Sequence, residues 1–206
     1  MRGIYFFLFT LFSFASFAQA DTCLVEVKDH IPDILLDIKY ATENNFTGKK
    51  VYPAARCFLR YTVVKALSKV QKELQPMGLQ LMIFDGYRPR SVQYTFWEIM
   101  PDERYVLNPK KGSRHNRGAA VDLTLADLEG KPLKMPSAYD DFSEKAHVNY
   151  QNCDEESKKN RDLLQNIMTQ NGFLSFETEW WHFDFSGWES FPLLDVPFEK
   201  VKDICN

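Results

Sequence analysis

Two histidines, two carboxylates and an arginine, spread over three short stretches, have the makings of a water-activating metal site. Ser113-Arg114-His115-Asn116-Arg117-Gly118-Ala119-Ala120-Val121-Asp122 offers a histidine and an aspartate as ligands. Glu179-Trp180-Trp181-His182 offers a second histidine with a glutamate three residues before it. Asp85-Gly86-Tyr87-Arg88-Pro89 offers an arginine beside a turn. A catalytic zinc needs about three protein ligands, an open position for water and a base to take that water's proton. The chain has 4 histidines, and two of them fall in these motifs.

Each piece alone has an ordinary explanation. A loop histidine followed by a solvated strand face would give the His115–Asp122 spacing. A surface glutamate beside a core histidine would give Glu179 and His182. Arg88 could simply pair with Asp85, or be held by it while stabilising an oxyanion. The pieces gain weight by occurring together. Trp180, Trp181 and Phe183 would surround Glu179 with low-dielectric packing, which raises a carboxylate's pKa and suits it to proton transfer. One tension is built in: on an ideal strand, positions three apart face opposite sides. Glu179 must therefore precede the strand proper, or a bulge must re-aim it.

The elements that would position these groups follow from periodicity. Residues 31–40 read as an extended approach and Asn44–Gly48 as a loop. Val63, Leu67, Val70 and Leu74 recur at helical spacing and predict a helix over 59–74, stopped by Pro76 and Gly78. The apolar run 79–84 reads as a buried strand leading to the Asp85-Gly86 turn. Ser91 is placed to cap a helix to about Met100. Residues 101–117 read as a long loop. The strand 119–125 sets Val121, Leu123 and Leu125 on one face and Asp122 on the other. A helix is expected over 154–170, with Leu163, Leu164, Ile167 and Met168 inward and Gly172 as its stop. A final aromatic strand begins near Trp180. Strands and helices intermix without regular βαβ spacing, so the fold class is α+β.

Length and composition bound the rest. The chain has 206 residues, 45% hydrophobic and 26% charged, with a formal net charge of -3. That is ordinary for one globular domain, and it gives no basic footprint for nucleic acid. Met1-Arg2, an apolar run from Ile4 to Phe17, and Ala18-Gln19-Ala20 read as an export signal over 1–20, leaving Asp21 as the first mature residue of a 21–206 domain. The run is short for a membrane span, so no stable membrane anchor is expected and the location is periplasmic or secreted. Outside the reducing cytoplasm, Cys23, Cys57, Cys153 and Cys205 suggest up to two disulfides, with Cys23–Cys205 one pairing that would tie down both ends. His147 reads as structural and His30 as surface. Phe96 and Trp97 read as core, and Asp184, two residues from His182, is either a ligand-orienting group or a solvated one.

Taken together the motifs resemble the D-alanyl-D-alanine dipeptidases of the VanX type. The resemblance spans most of the mature chain. It includes Lys39-Tyr40-Ala41-Thr42, Asn45-Phe46-Thr47-Gly48, Asp122-Leu123-Thr124-Leu125 and Tyr139-Asp140, with Pro136 standing where the family usually has Gly. It implies one zinc per chain held by His115, Asp122 and His182, with Glu179 as general base and then acid. It implies Arg88 as stabiliser of the tetrahedral intermediate, Ser113 close to the substrate, and Asp140 as partner for a dipeptide's ammonium group. The fold implied is the small α+β zinc-peptidase fold shared with D,D-carboxypeptidases and the Hedgehog signalling domain, a central antiparallel sheet with flanking helices. The alternatives are a D,D- or L,D-carboxypeptidase acting on peptidoglycan stems, and a non-catalytic zinc-binding domain for wall peptides.

Overall fold

The computed structural model describes residues 21–204. The proposed leader and Cys205 lie outside the described residues. A five-stranded sheet carries the site. Its order is β2 (Leu35–Leu36), β4 (Leu79–Asp85), β5 (Ala120–Asp127), β7 (Glu179–Phe185), β6 (Phe173–Phe176). The neighbours are antiparallel except for the short edge strand β2, which runs parallel to Met82 and Ile83. The sheet is therefore mixed at one edge, where an antiparallel one was expected. A separate pair, β1 (Leu24–Glu26) and β3 (Phe58–Arg60), packs beside it.

Two long helices pack against the sheet, and a third, shorter one follows β4. α2 (Tyr61–Leu74) follows the four-residue α1 (Val27–His30) and buries Val63, Val64, Leu67, Val70 and Leu74. A short 3-10 turn holding Pro76 ends it, and Gly78 closes the turn at φ 72, a left-handed conformation that suits glycine. α3 spans Arg90–Ile99. Ser91 does not cap it: the helix starts one residue earlier, and the Ser91 backbone N–H donates to Asp195 Oδ1 at 2.9 Å. The carboxylate doing the capping comes from the far end of the chain. α4 (Glu155–Gln170) has a local cap, Asp154, which accepts from the Ser157 backbone N–H at 3.1 Å; the sequence pattern places Asp154 inside the helix as its first residue. Leu164, Ile167 and Met168 face inward, while Leu163 is only half-buried.

Two strand irregularities aim the chemistry. Between β4 and β5 the register slips past Ile83, so that Asp85 lies opposite Asp122. Between β6 and β7, Ser175 faces Phe183 but Phe176 faces Glu179. The extra residues in β7 form the bulge that Glu179 required.

Cys57 and Cys153 are free thiols, so the second of two expected disulfides does not form. Cys57 is buried against Gly86, whereas Cys153 sits in the turn before α4 with its thiol near the Tyr150 carbonyl. The two belong to separate parts of the fold. Among the described residues no helix is long and apolar enough to cross a membrane.

Candidate active site

Strand register alone brings two of the predicted ligands together. Asp122 on β5 is directly opposite His182 on β7, and facing residues of an antiparallel pair have Cβ atoms about 5 Å apart. His115 arrives from a 3-10 turn, His115–Arg117, that ends at Gly118 with φ 68. A Cβ on Gly118 would also lie 2.4 Å from Leu24 Cδ2. The turn thus needs glycine both for its backbone angle and for its packing.

The three ligand atoms form a compact triangle. His115 Nε2 lies 3.2 Å from His182 Nδ1 and 3.4 Å from Asp122 Oδ1. His182 Nδ1 lies 2.9 Å from the same oxygen. Ligands about 2.0–2.1 Å from a tetrahedral zinc stand roughly 3.3 Å apart, so the donor set fits that ion. It is the one metal-ligating group found among the described residues.

The atoms behind the triangle fix its orientation. The outer nitrogen of His115, Nδ1, donates to the Gly86 carbonyl at 2.8 Å. Gly86 can come this close to the core because a Cβ there would strike Cys57 Sγ at 2.5 Å. His182 Nε2 donates to Asp184 Oδ1 at 3.0 Å, so Asp184 is the ligand-orienting carboxylate and not a solvated one. Arg114 Nε stands 3.4 Å from the other Asp184 oxygen. Such outer partners set which ring nitrogen faces the metal. Burial works against the charged form of Asp184, but the His182 hydrogen bond and the Arg114 charge bring its pKa below the ordinary value.

Glu179 Oε2 is 3.9 Å from His182 Nδ1. Burial, with repulsion from Asp122 and Asp140, carries the Glu179 carboxyl up to about 8 against the partial opposition of His182. Arg88 is nearly fully buried. Its Nη2 and Nε donate to Asp85 Oδ2 at 2.7 and 3.2 Å, and its Nη1 donates to Gln93 Oε1 at 2.9 Å. Asp85 is fully buried and accepts from Tyr52 Oη at 2.8 Å and from the Gly86 N–H at 2.8 Å through Oδ1. Pairing with Asp85 holds Arg88 in its charged form despite burial. Asp85 thus fixes the guanidinium while its remaining N–H groups face the cleft.

Arg88, Ser113, His115, Asp122, Asp140, Glu179 and His182 all line one small cavity of about 60 Å³. Asp140 sits in the left-handed region, with φ 59, on the turn that follows Pro136. It accepts from Tyr40 Oη at 3.1 Å. Burial, and then the Asp122 charge, carries its carboxyl up to about 7. Tyr105 and Phe142 line the same cavity: Tyr105 Oη donates to the Phe142 carbonyl at 2.8 Å, and the two rings lie 4.8 Å apart at a tilt. Phe96 is buried as expected, but it also lines the cavity, with the Arg88 guanidinium 4.5 Å from its ring centre. His30 is exposed. In the sequence Tyr40 and Tyr139 figure only within the motifs of the family resemblance, with no role attached, and Gln93 not at all, because hydroxyls and amides become informative only once their partners are known.

The chain matches the Peptidase_M15 family model, described as D-ala-D-ala dipeptidase, over residues 20–202. The D-alanyl-D-alanine dipeptidase of Escherichia coli K12 is 41% identical over 177 residues, covering 86% of this chain and 92% of that one. The protein of the same description from Enterococcus faecalis V583 is 34% identical over 183 residues, covering 79% and 87%. One from Enterococcus faecium is 36% identical over 170 residues, covering 71% and 83%.

Proposed function

This chain belongs to the D-Ala-D-Ala dipeptidase family, and from that premise we propose that it is a zinc metallopeptidase hydrolysing D-alanyl-D-alanine to two molecules of D-alanine. The observation that carries the reading is the His115–Asp122–His182 triangle with the Glu179 carboxyl beside it on the wall of one cavity.

When bound, zinc supplies Lewis-acid polarisation of the scissile carbonyl and a lowered pKa for water. The remaining work falls to the chain's own side chains. Glu179 takes the proton of the attacking water at its carboxylate and later delivers it to the departing amine nitrogen. A dication alongside lowers the Glu179 pKa from its metal-free value of about 8, towards the working range of a proton shuttle. Arg88 directs its free N–H groups at the oxygen where negative charge develops. It is already oriented by Asp85 and Gln93, so no reorganisation is needed during the reaction. Asp140 receives the ammonium group of the dipeptide, and Ser113 lines the same cleft close to the substrate. The small size of the cavity, with Tyr105 and Phe142 on its wall, favours a short substrate over a stem peptide.

The same proposal includes export. The basic start, apolar run and Ala18-Gln19-Ala20 support cleavage before Asp21, and a Cys23–Cys205 bridge would tie the ends in an oxidising compartment. An exported enzyme would meet dipeptide released from the cell wall and not the cytoplasmic precursor pool. Cell fractionation with mass determination of the intact protein checks this; a cytoplasmic protein that keeps residues 1–20 would contradict it.

The activity test offers D-Ala-D-Ala, L-Ala-L-Ala and a stem pentapeptide ending in D-Ala-D-Ala to the zinc-loaded protein. Free alanine from the D,D-dipeptide alone is expected. Release from the pentapeptide would instead indicate a carboxypeptidase.

A further inference from the structure

The chemistry assigned so far uses one oxygen of Asp122. Oδ1 faces both His115 Nε2 and His182 Nδ1. Oδ2 turns away from them and accepts from Tyr139 Oη at 3.0 Å. Asp122 is buried, so without that donor Oδ2 would be a charged acceptor with no hydrogen bond.

Tyr139 is held by more than this bond. Its ring packs at 4.8 Å on Phe84 from β4 and at 5.3 Å on Trp181 from β7. Its hydroxyl is also 3.2 Å from Tyr40 Oη, which in turn donates to Asp140 at 3.1 and 3.2 Å. A phenol has one proton to give. The Tyr40 proton goes to the Asp140 carboxylate, which leaves the Tyr139 proton for Asp122. The two phenol oxygens, 3.2 Å apart, then share no proton, and each phenol serves its own carboxylate.

We propose that Tyr139 is a positioning residue whose hydroxyl occupies Asp122 Oδ2, so that Asp122 presents Oδ1 alone to the metal. The assignment rests on the metallopeptidase reading. Its consequence is that the coordination position a bidentate aspartate would fill stays open. Catalysis needs that position.

Tyr139→Phe removes the hydroxyl and keeps the ring contacts. Three quantities are compared with the wild-type protein: zinc affinity by competition with a chromophoric chelator, the visible absorption of the cobalt-substituted protein, and the metal-free melting temperature. Loss of an outer partner of a metal ligand costs about 10–100-fold in affinity. The expected result is a zinc dissociation constant raised by that factor, together with a weaker, altered cobalt spectrum as Asp122 becomes free to chelate. The metal-free melting temperature should fall as well, because the substitution leaves the buried Oδ2 without a donor. Tyr139→Phe with wild-type zinc affinity and cobalt spectrum, in a preparation whose wild type hydrolyses D-Ala-D-Ala, would overturn the role of Tyr139 and leave the dipeptidase reading intact. A fall in the metal-free melting temperature with no change in metal binding would make Tyr139 merely structural and overturn the proposal equally. A wild-type protein that binds no zinc would overturn the enzymatic reading and this one with it.

Discussion

Replacing Arg88 with alanine should damage the protein twice, for separable reasons. The first is stability. Asp85 is fully buried, and its Oδ2 accepts two hydrogen bonds from Arg88. Removing the guanidinium leaves a buried carboxylate holding only Tyr52 and the Gly86 N–H on its other oxygen. Breaking a buried ion pair in this way costs about 3–5 kcal/mol. For a chain of this size that is a fall of roughly 6–20 °C in melting temperature. The second is turnover, because loss of an oxyanion donor costs about 10²–10³ in kcat. Asp85→Asn combined with Arg88→Ala separates the two. The neutral amide can still accept from Tyr52 and no longer strands a charge, so most of the lost stability should return while turnover stays at the single-variant level. Thermal melts and initial rates on D-Ala-D-Ala, at saturating zinc, read the two effects side by side. An Arg88→Ala protein that melts and turns over like wild type would refute the reasoning. So would a double variant that regains activity along with stability.

Other perturbations probe other parts of the account. Burial raises Glu179 to about 8 and Asp140 to about 7, so the folded metal-free protein favours their neutral forms. Their stabilising contribution is fully present below the unfolded pKa values, near 4, and is lost as pH rises through 7 to 8. Glu179→Gln should therefore stabilise the metal-free protein above pH 8, by on the order of 2–5 kcal/mol, and flatten its melting profile over pH 5–8; an unchanged profile would contradict the burial argument. Burial opposes a charge on His182, but the hydrogen bonds it donates to Asp122 and Asp184 hold its pKa well above the usual imidazole value. Zinc must displace that proton, so affinity should rise up to about tenfold per pH unit through neutrality, with proton release visible by calorimetry in buffers of different ionisation enthalpy. Pairing Gly118→Ala with melts and zinc titration should show a loss of about 1–3 kcal/mol, from the positive φ and the clash with Leu24, and weaker zinc binding as His115 shifts; wild-type metal affinity there would mean the turn does not position His115.

Much of the site was legible because its parts lie in short local patterns. His115 with Gly118 and Asp122 specify a tight turn running into a strand. The spacing of Glu179 and His182 required either that Glu179 precede the strand or that a bulge re-aim it, and β7 takes the second course. The helices over 61–74 and 155–170 followed from apolar spacing and from the glycines that stop them. What was not legible depends on contacts distant in sequence. The α3 cap comes from Asp195, and the outer partner of Asp122 is Tyr139. β1, β3 and β6 are 3 or 4 residues long, too short to show a period, and only their partners define them. The free thiols of Cys57 and Cys153 show the same limit, since cysteine count cannot say which side chains the fold brings together.

The central claim is that a Glu179-assisted zinc site cleaves the dipeptide. Its most direct test is alanine release from D-Ala-D-Ala by zinc-loaded wild type and Glu179→Ala, with bound zinc measured in both. The account predicts hydrolysis by wild type and its near-complete loss in the variant at equal zinc occupancy. Comparable hydrolysis by the two, or a wild-type protein that holds zinc and leaves the dipeptide intact, would contradict it.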